Sequence, residues 1–382
     1  MPTNPAQIAA LHRDAPLTDI HIHPSLKAYL FRRNLWRHYR SGSTFNPLSS
    51  RSDFKMLEAG GVGVIWAAHH LPETELFRQC LAMTLAGLLG LPVYGRLMTG
   101  SRMQRLFEIM DALEREIARK PDRVELARSP ADIARIRAAG RVAVVHTVEG
   151  AHVLQRDVSN LDRLAERDVA MLTLCHFFQN GLAAQTIGIP PSYAVNRMCH
   201  YDFRWSANVP LTDYGREVVR RMIRLGMLVD VSHCTPDARE AVLTEIGQQR
   251  PIVASHVGAQ GVNPDPYNLA DEEIRAIAAG GGLIGVIFMT YWLHPDEPKK
   301  GLDAIWQTIE HIHTECGSFD HVALGTDFDG FTDPPDDVED ASQMGAVTAM
   351  LLSRGVPESD VRKILGGNAQ RVLEAGWKPT SS

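Results

Sequence analysis

Histidines and carboxylates recur in this chain at the ends of short apolar runs. His21 and His23 close LTDIHIH, Glu149 lies in VVHTVEG, His176 follows LTLC, His233 and His256 end LVDVSH and IVASH, and Asp327 lies in VALGTDFDG. These side chains are the ones that bind borderline metal ions and move protons. A strand has a side-chain period of two, so His21 and His23 point to one side and can hold one ion together. On its own, HxH is equally two histidines on a half-exposed strand. Glu149 can bridge two ions by giving one oxygen to each, or it can be a carboxylate at a helix start. His233 and His256 share the order apolar run, Ser, His, which makes a second half-site if the two runs are neighbours and two structural histidines if they are not. Asp327 can touch metal and take a proton from water. Asp329 competes for that role, although the following Gly330 makes it more a turn residue. His146 is placed in the core, and eleven of the sixteen histidines, His69 and His70 among them, receive no role.

These residues need a scaffold that brings run ends together. Eight β-type runs are legible: Leu17 to Ile22, Val62 to Ala67, Val142 to Thr147, Ala170 to Leu174, Met227 to Ser232, Ile252 to Ser255, Leu283 to Phe288 and His321 to Gly325. Helical spacing lies between them, which is the pattern of repeated βα units. Eight units suit a closed parallel barrel, whose strand C-termini converge on one face. An open doubly wound sheet gives a similar alternation, so periodicity alone leaves both. Between the second and third runs, Ala68 to Arg141 carries the helical stretches Glu73 to Leu89 and Arg102 to Arg119, too much for one crossover, and reads as a helical insertion. Residues 177–210 form a long irregular segment, the kind that makes lids. Phe331 to Asp340 reads as an acidic surface turn. The expected organisation is a single domain over 1–382.

Composition excludes several classes. At 45% hydrophobic and 22% charged residues the chain is neither disordered nor a membrane bundle, and its formal charge of −6 offers no broad attraction to phosphate backbones. The longest apolar stretch, Gly280 to Leu293, is too short to span a bilayer. Nucleic acid and membrane are therefore not expected partners. Five scattered cysteines give no disulfide framework and no CxxC pair, and the first twenty residues lack the basic start and apolar core of a secretory signal. A reducing, cytoplasmic location is the expectation.

LTDIHIH, VHTVEGAH, LTLCHF, LTDYGREVVRRMIRLGMLVDVSH, PIVASHVGA, NLADEEIRAIAAGGGLIGV, HVALGTDFDG and GGNAQRVLE, in this order over nearly the whole chain, resemble the membrane dipeptidase (renal dipeptidase) family of zinc peptidases, within the amidohydrolase-like barrels. The resemblance implies a (β/α)8 barrel, two Zn2+ per chain, and hydrolysis of dipeptides, often with a D-residue on the C-terminal side. Position by position it makes His21 and His23 ligands of one zinc, Glu149 the bridge, His233 and His256 ligands of the other, Asp327 the acid/base, and His176 a group that polarises the substrate carbonyl. The family often dimerises, and the insertion is the expected surface for a homodimer. Two positions depart from the family pattern. Its usual HxD is here HxH, so the site is one charge unit more positive. Its usual Arg-Asn is here Tyr267-Asn268, and Tyr267 cannot clamp a terminal carboxylate in bidentate fashion. Either Arg197 or Arg204 of the lid supplies that charge, or the substrate is not an ordinary free dipeptide.

The reading is thus a binuclear zinc hydrolase that cleaves the amide bond of a small dipeptide-like substrate. A lactonase or an N-acyl amino acid amidase on the same barrel is the nearest alternative, and a non-catalytic binding barrel the alternative of another class. A deaminase fits less well, because it works with one metal and no bridging Glu.

Overall fold

The computed structural model describes residues 5–42, 49–90, 94–190, 194–247, 250–294 and 301–378. Its strands are β1 (Leu17–Ile22), β2 (Val62–His70), β3 (Val124–Leu126), β4 (Val142–Glu149), β5 (Met171–Thr173), β6 (Leu228–Asp230), β7 (Ile252–Val257), β8 (Leu283–Val286) and β9 (Val322–Leu324). All pairings are parallel, in the order β2-β1-β9-β8-β7-β6-β5-β4-β3, and an added β2–β4 ladder closes the sheet. The closed barrel is formed by β1, β2 and β4 to β9, which decides between the two topologies that the periodicity left open. Each of the eight expected runs coincides with one barrel strand, although β2, β4 and β7 run on to His70, Glu149 and Val257.

β3 was not expected. It pairs with the first residues of β4, Val124 with Val142 through Leu126 with Val144, whereas β5 takes the same edge from Thr147 onward. It thus fills an edge that the short β5 leaves unpaired, which satisfies backbone donors and acceptors there. Between β2 and β4 the described helices are Thr74–Arg78, Leu81–Gly90, Tyr94–Leu97, Arg102–Ala118 and Pro130–Ala138.

Local chemistry explains the outer helices. Thr212 caps Asp213–Leu225 by accepting from the Gly215 amide, Val218, Val219 and Met222 make its buried face, and Gly226 ends it with φ of 65°. Thr235 caps Pro236–Ile246 in the same way, with Pro at its start. One cluster of buried side chains, including Ile20, Val64, Trp66, Val145, Met171, Leu228 and Val253, packs with Val372, Leu373 and Trp377 of the C-terminal segment. At about 25 cal/mol per Å2 of apolar surface removed from water, such clusters are the main force holding strand ends in place.

The cysteine expectation is overturned. Cys80 and Cys199 form a disulfide, which ties the start of the insertion to the segment after β5. Pairings of this kind persist in oxidising surroundings, so a reducing compartment no longer follows from the cysteine pattern. Among the described residues no helix is long and apolar enough to cross a membrane. Phe331 to Asp340 is not simply a surface turn either, because Phe331 and Thr332 line the central cavity and Asp340 is buried as a helix cap.

Candidate metal centre and substrate cavity

The barrel brings His21, His23, Glu149, His176, His233, His256 and Asp327 together, all buried. Glu149 is at the middle. Its Oε1 lies 3.3 Å from His21 Nε2, 3.3 Å from His233 Nε2 and 3.4 Å from His256 Nε2, and its Oε2 is 3.6 Å from His23 Nε2. On one side His21 and His23 bring their Nε2 atoms to 3.1 Å, and His23 Nε2 is 2.9 Å from Asp327 Oδ1. On the other, the Nε2 atoms of His233 and His256 are 3.0 Å apart. Nitrogens on one tetrahedral ion at about 2.0–2.1 Å must lie close together in this way.

Backbone geometry places two of these side chains. His233 has φ of 66° and Asp327 φ of 58°, in the left-handed region that costs a non-glycine residue roughly 1 kcal/mol or more. The Asp327 amide donates to the His21 carbonyl at 2.8 Å, and its own carbonyl accepts from the Gly330 amide at 3.0 Å and the Thr332 hydroxyl at 2.9 Å. The Thr186 amide, from the segment after β5, holds the His233 carbonyl at 2.8 Å. Gly330 is needed for close approach, since a Cβ there would stand 1.9 Å from Asp327 Oδ1. Asp329, the competitor, faces away from this role: its carboxylate takes Lys27 Nζ at 2.8 Å, the Arg51 amide at 3.0 Å and the Ser50 hydroxyl at 3.2 Å.

A test of whether the donor set suits a cation comes from Ser255. Its hydroxyl donates to Asp230 Oδ2 at 2.7 Å, and the same oxygen is 3.0 Å from His21 Nδ1 and 2.7 Å from His256 Nδ1. One hydroxyl has one proton, so once that proton goes to Asp230 the oxygen can only accept from the two rings. Both imidazoles then carry hydrogen on Nδ1 and turn an Nε2 lone pair inward, the form a metal ligand needs. Charge agrees. Burial opposes a proton on His23, but the hydrogen bond to Asp327 and the charges of Glu149, Asp327 and Asp329 outweigh it and hold its pKa up to about 9. The carboxylates thus draw positive charge to the centre. Burial instead pushes His176 and His256 well below the ordinary imidazole value. The residues around Glu149 fit a cation.

The reading of the sequence missed the groups behind this set. Asp19 accepts from the amides of His21 and Thr326, both at 3.1 Å, and Asp230 accepts from those of Ser232 at 3.1 Å and Ser255 at 2.9 Å. A signal existed, because Asp19 stands two residues before His21 and Asp230 ends the apolar run before His233. His70, given no role, has Nδ1 3.4 Å from Glu149 Oε2 and lines the cavity. His146 is core, as expected: its Nδ1 is 2.7 Å from His69 Nε2 and its Nε2 3.2 Å from Glu114.

A cavity of about 420 Å3 opens over the cluster. His23, His70, Glu149, His176, His233 and Asp327 form its polar floor, and Leu76, Phe77, Met83, Ile189, Tyr201 and Phe331 are among its apolar walls. None of the four residues considered for the substrate lines it. Tyr267 is fully buried, stacks on Trp292 at 3.8 Å and donates its hydroxyl to the His256 carbonyl at 2.9 Å. Asn268 donates to the carbonyls of Asn263 and Trp292. Both brace the end of β7. Arg204 is exposed and paired with Asp202, and Arg197 is exposed. Among the described lining residues there is no Lys or Arg.

A closed (β/α)8 barrel whose strand ends gather histidines around a buried carboxylate defines the class of metal-dependent barrel hydrolases. The profile of the membrane dipeptidase family (peptidase family M19) matches residues 5–378, and the chain belongs to that family of metallopeptidases. Dipeptidase ataJ of Aspergillus terreus is 28% identical over 94% of this chain and 84% of its own length. Dipeptidase tcpJ of Claviceps purpurea is 30% identical over 71% of this chain, and the match spans only 60% of that relative's length. In fold the chain resembles a metallo peptidase from Rhodobacter sphaeroides, solved with a phosphinate mimic of the dipeptide L-Ala-D-Ala, with a TM-score of 0.75 at 21% identity over 95% of this chain and 99% of that one.

Proposed function

We propose that this protein is a binuclear zinc dipeptidase that cleaves the amide bond of small dipeptides or dipeptide-like substrates, with a D-residue accepted on the C-terminal side. The observation that carries this reading is the central place of Glu149, whose Oε1 meets His21, His233 and His256 and whose Oε2 meets His23, with His21, His23 and Asp327 forming a further donor group beside it. The Rhodobacter protein's ligand, a mimic of L-Ala-D-Ala, supports the D-residue. Zinc held by these residues would supply Lewis acidity toward a carbonyl oxygen and make water acidic enough to attack near neutral pH.

The rest falls to the chain. Asp327 reaches the cavity floor with Oδ1 beside His23, from where it takes the proton of the attacking water and returns it to the leaving amine. His176 faces the same space with Nε2, 3.7 Å from Glu149 Oε2, and contacts the substrate. The apolar walls take up side chains and exclude water, which strengthens every electrostatic contact on the floor. Residues 177–210 are read as the lid and 68–141 as an insertion within one domain. That insertion is also the proposed face of a homodimer, since the helix Leu81–Gly90 exposes Leu81, Leu85 and Leu88.

A second reading concerns the substrate's far end. The apolar walls, with no basic residue among the described lining, favour a group without a free carboxylate, such as a blocked amide or a lactone.

Asp327→Asn tests the central reading. The variant should keep two zinc ions per chain by elemental analysis and lose roughly 100-fold or more in turnover. Near-normal turnover would remove Asp327 from the acid/base role, and one ion per chain in the unaltered protein would remove the binuclear assignment. A panel of L-Xaa-D-Xaa dipeptides, blocked amides and lactones on the same preparation separates the two substrate readings.

A further inference from the structure

A second cavity, of about 680 Å3, has no lining residue in common with the first. The helix Thr74–Arg78 contributes to both, since Glu75 lines the second cavity and Leu76 and Phe77 the first. Their characters are opposite. Arg102, Gln155, Arg156 and Gln179 line the second, together with Trp205 and Glu75. Arg102 is turned to groups of the protein itself, with Nη1 3.2 Å from the His152 carbonyl and Nη2 3.9 Å from Glu75 Oε1. Arg156 forms no ion pair among the described residues, and its guanidinium stands over the Tyr214 ring at 5.6 Å. Gly181 makes room for it, because a Cβ there would be 2.7 Å from Arg156 Nη1. Gln155 Oε1 accepts from the Arg102 amide at 3.0 Å and Gln179 Oε1 from the Ser206 hydroxyl at 2.7 Å, which leaves both NH2 groups as donors. Gln155 and Arg156 have φ of 52° and 63°, consecutive left-handed residues of the kind that gathers at ligand clamps. His152 lines the same cavity while only 6% exposed, and its Nδ1 has no hydrogen-bond partner. The helices Arg102–Ala118 and Asp213–Leu225 both begin here, at Arg102 and at the cap Thr212, and bring the positive ends of their dipoles.

We propose that this cavity is a second binding site, for a free amino acid in its zwitterionic form, with the carboxylate on Arg156 and the ammonium group toward Glu75. Charge sets the ligand class. Arg102 and Glu75 offset one another, so Arg156 leaves one unmatched positive charge, which suits a single carboxylate. A second negative charge on the ligand would meet the Glu75 carboxylate and be repelled. Arg156 offers a planar fork to the one carboxylate, and the NH2 groups of Gln155 and Gln179 and the two helix starts favour the same sign. Glu75 is held only loosely, at 3.9 Å from Arg102, and has acceptor capacity for an ammonium group. Trp205 gives the ligand side chain an apolar wall, its indole N–H being already donated to the Val209 carbonyl at 3.0 Å. Of the two cavities, only the second has an arginine among its described lining residues. A free amino acid is also the product class of a dipeptidase. That link rests on the dipeptidase reading, whereas the binding itself does not.

Titration calorimetry of L-leucine into the full-length, zinc-loaded protein tests the site. Leucinol, which lacks the carboxylate, and isocaproate, which lacks the ammonium group, are the control probes, and neither has a bond that an amide hydrolase could cleave. The expected result is saturable leucine binding with a Kd on the order of 1 mM or below, and binding of both controls weaker by roughly tenfold or more. Arg156→Gln should weaken leucine binding by roughly tenfold or more and Glu75→Gln by roughly threefold or more. Dipeptide kcat/KM in R156Q should stay within about twofold of the unaltered protein, because Arg156 lies outside the substrate cavity. Leucine binding that is unchanged in R156Q belongs to the substrate cavity and overturns the proposal. Leucinol bound as tightly as leucine overturns it too, as does the absence of saturable binding at tens of millimolar. A larger fall of kcat/KM in R156Q would show that the two cavities are not separate sites and would likewise overturn it. If R156Q does not fold, Glu75→Gln and the comparison of probes decide by the same criteria. If no dipeptide is cleaved, the dipeptidase reading fails while leucine binding is still measured.

Discussion

The strand-end cluster and the segments that cover it are built in different ways. In the cluster, His21 and His256 stand at strand ends and are braced by groups at other strand ends: Ser255 joins His21 to His256, and Asp230 takes that hydroxyl and the Ser232 and Ser255 amides. In the covering segments the decisive contacts are made by residues outside the barrel strands, Glu73 to His176 and Cys80 to Cys199. The cluster has polar, hydrogen-bonded support. The cover is mostly apolar, with Phe178, Ile189, Tyr201 and the disulfide in a small core of their own. A rigid frame can hold reactive groups to fractions of an ångström, while a satellite core attached to it sets shape and access.

That contrast can be broken experimentally. The largest effect is expected at Ser255→Ala, which removes the acceptor for the imidazoles of His21 and His256, both proposed ligands, at once. Zinc affinity, from competition with a chelator, should fall on the order of 10–100-fold; unchanged affinity would mean the bracing does not serve the metals. The disulfide comes next. Cys199→Ser should leave zinc content unchanged, raise hydrogen exchange in Ala194–Cys199, and lower kcat/KM by a factor of roughly 3 to 10, on the scale of a 1 kcal/mol change. Loss of zinc in this variant would show that cover and cluster are one cooperative unit.

The smallest effect is predicted where the two regions meet. Glu114, on the helix Arg102–Ala118, is held down to about 2 by its hydrogen bond to His146 of β4, with Arg167 adding to the effect against partial burial. A depressed carboxylate stabilises the fold above its ordinary value of about 4.5 and loses that contribution as pH falls toward 2. Glu114→Gln should therefore lower the unfolding temperature slightly at pH 7, with the gap to the unaltered protein closing below pH 4.5. The carboxylate is partly exposed, so the expected cost is under about 1 kcal/mol. A gap independent of pH would exclude the charge as its origin.

The sequence by itself determined the strand runs and the residues that end them. A strand repeats every two residues and an outer helix every 3.6, so these positions are set by neighbours in the chain and can be read one run at a time. His21, His23, Glu149, His233, His256 and Asp327 were legible for that reason. Only the tertiary structure decided that the sheet closes through β2 and β4, that β3 fills the edge left by β5, and that Cys80 meets Cys199. It also decided that Tyr267 is a buried brace, that His70 joins the floor, and that Glu73 reaches His176. Each of these depends on a contact between segments whose separation along the chain carries no periodic signal. Burial of apolar surface and satisfaction of buried polar groups select such contacts only when the whole chain is folded.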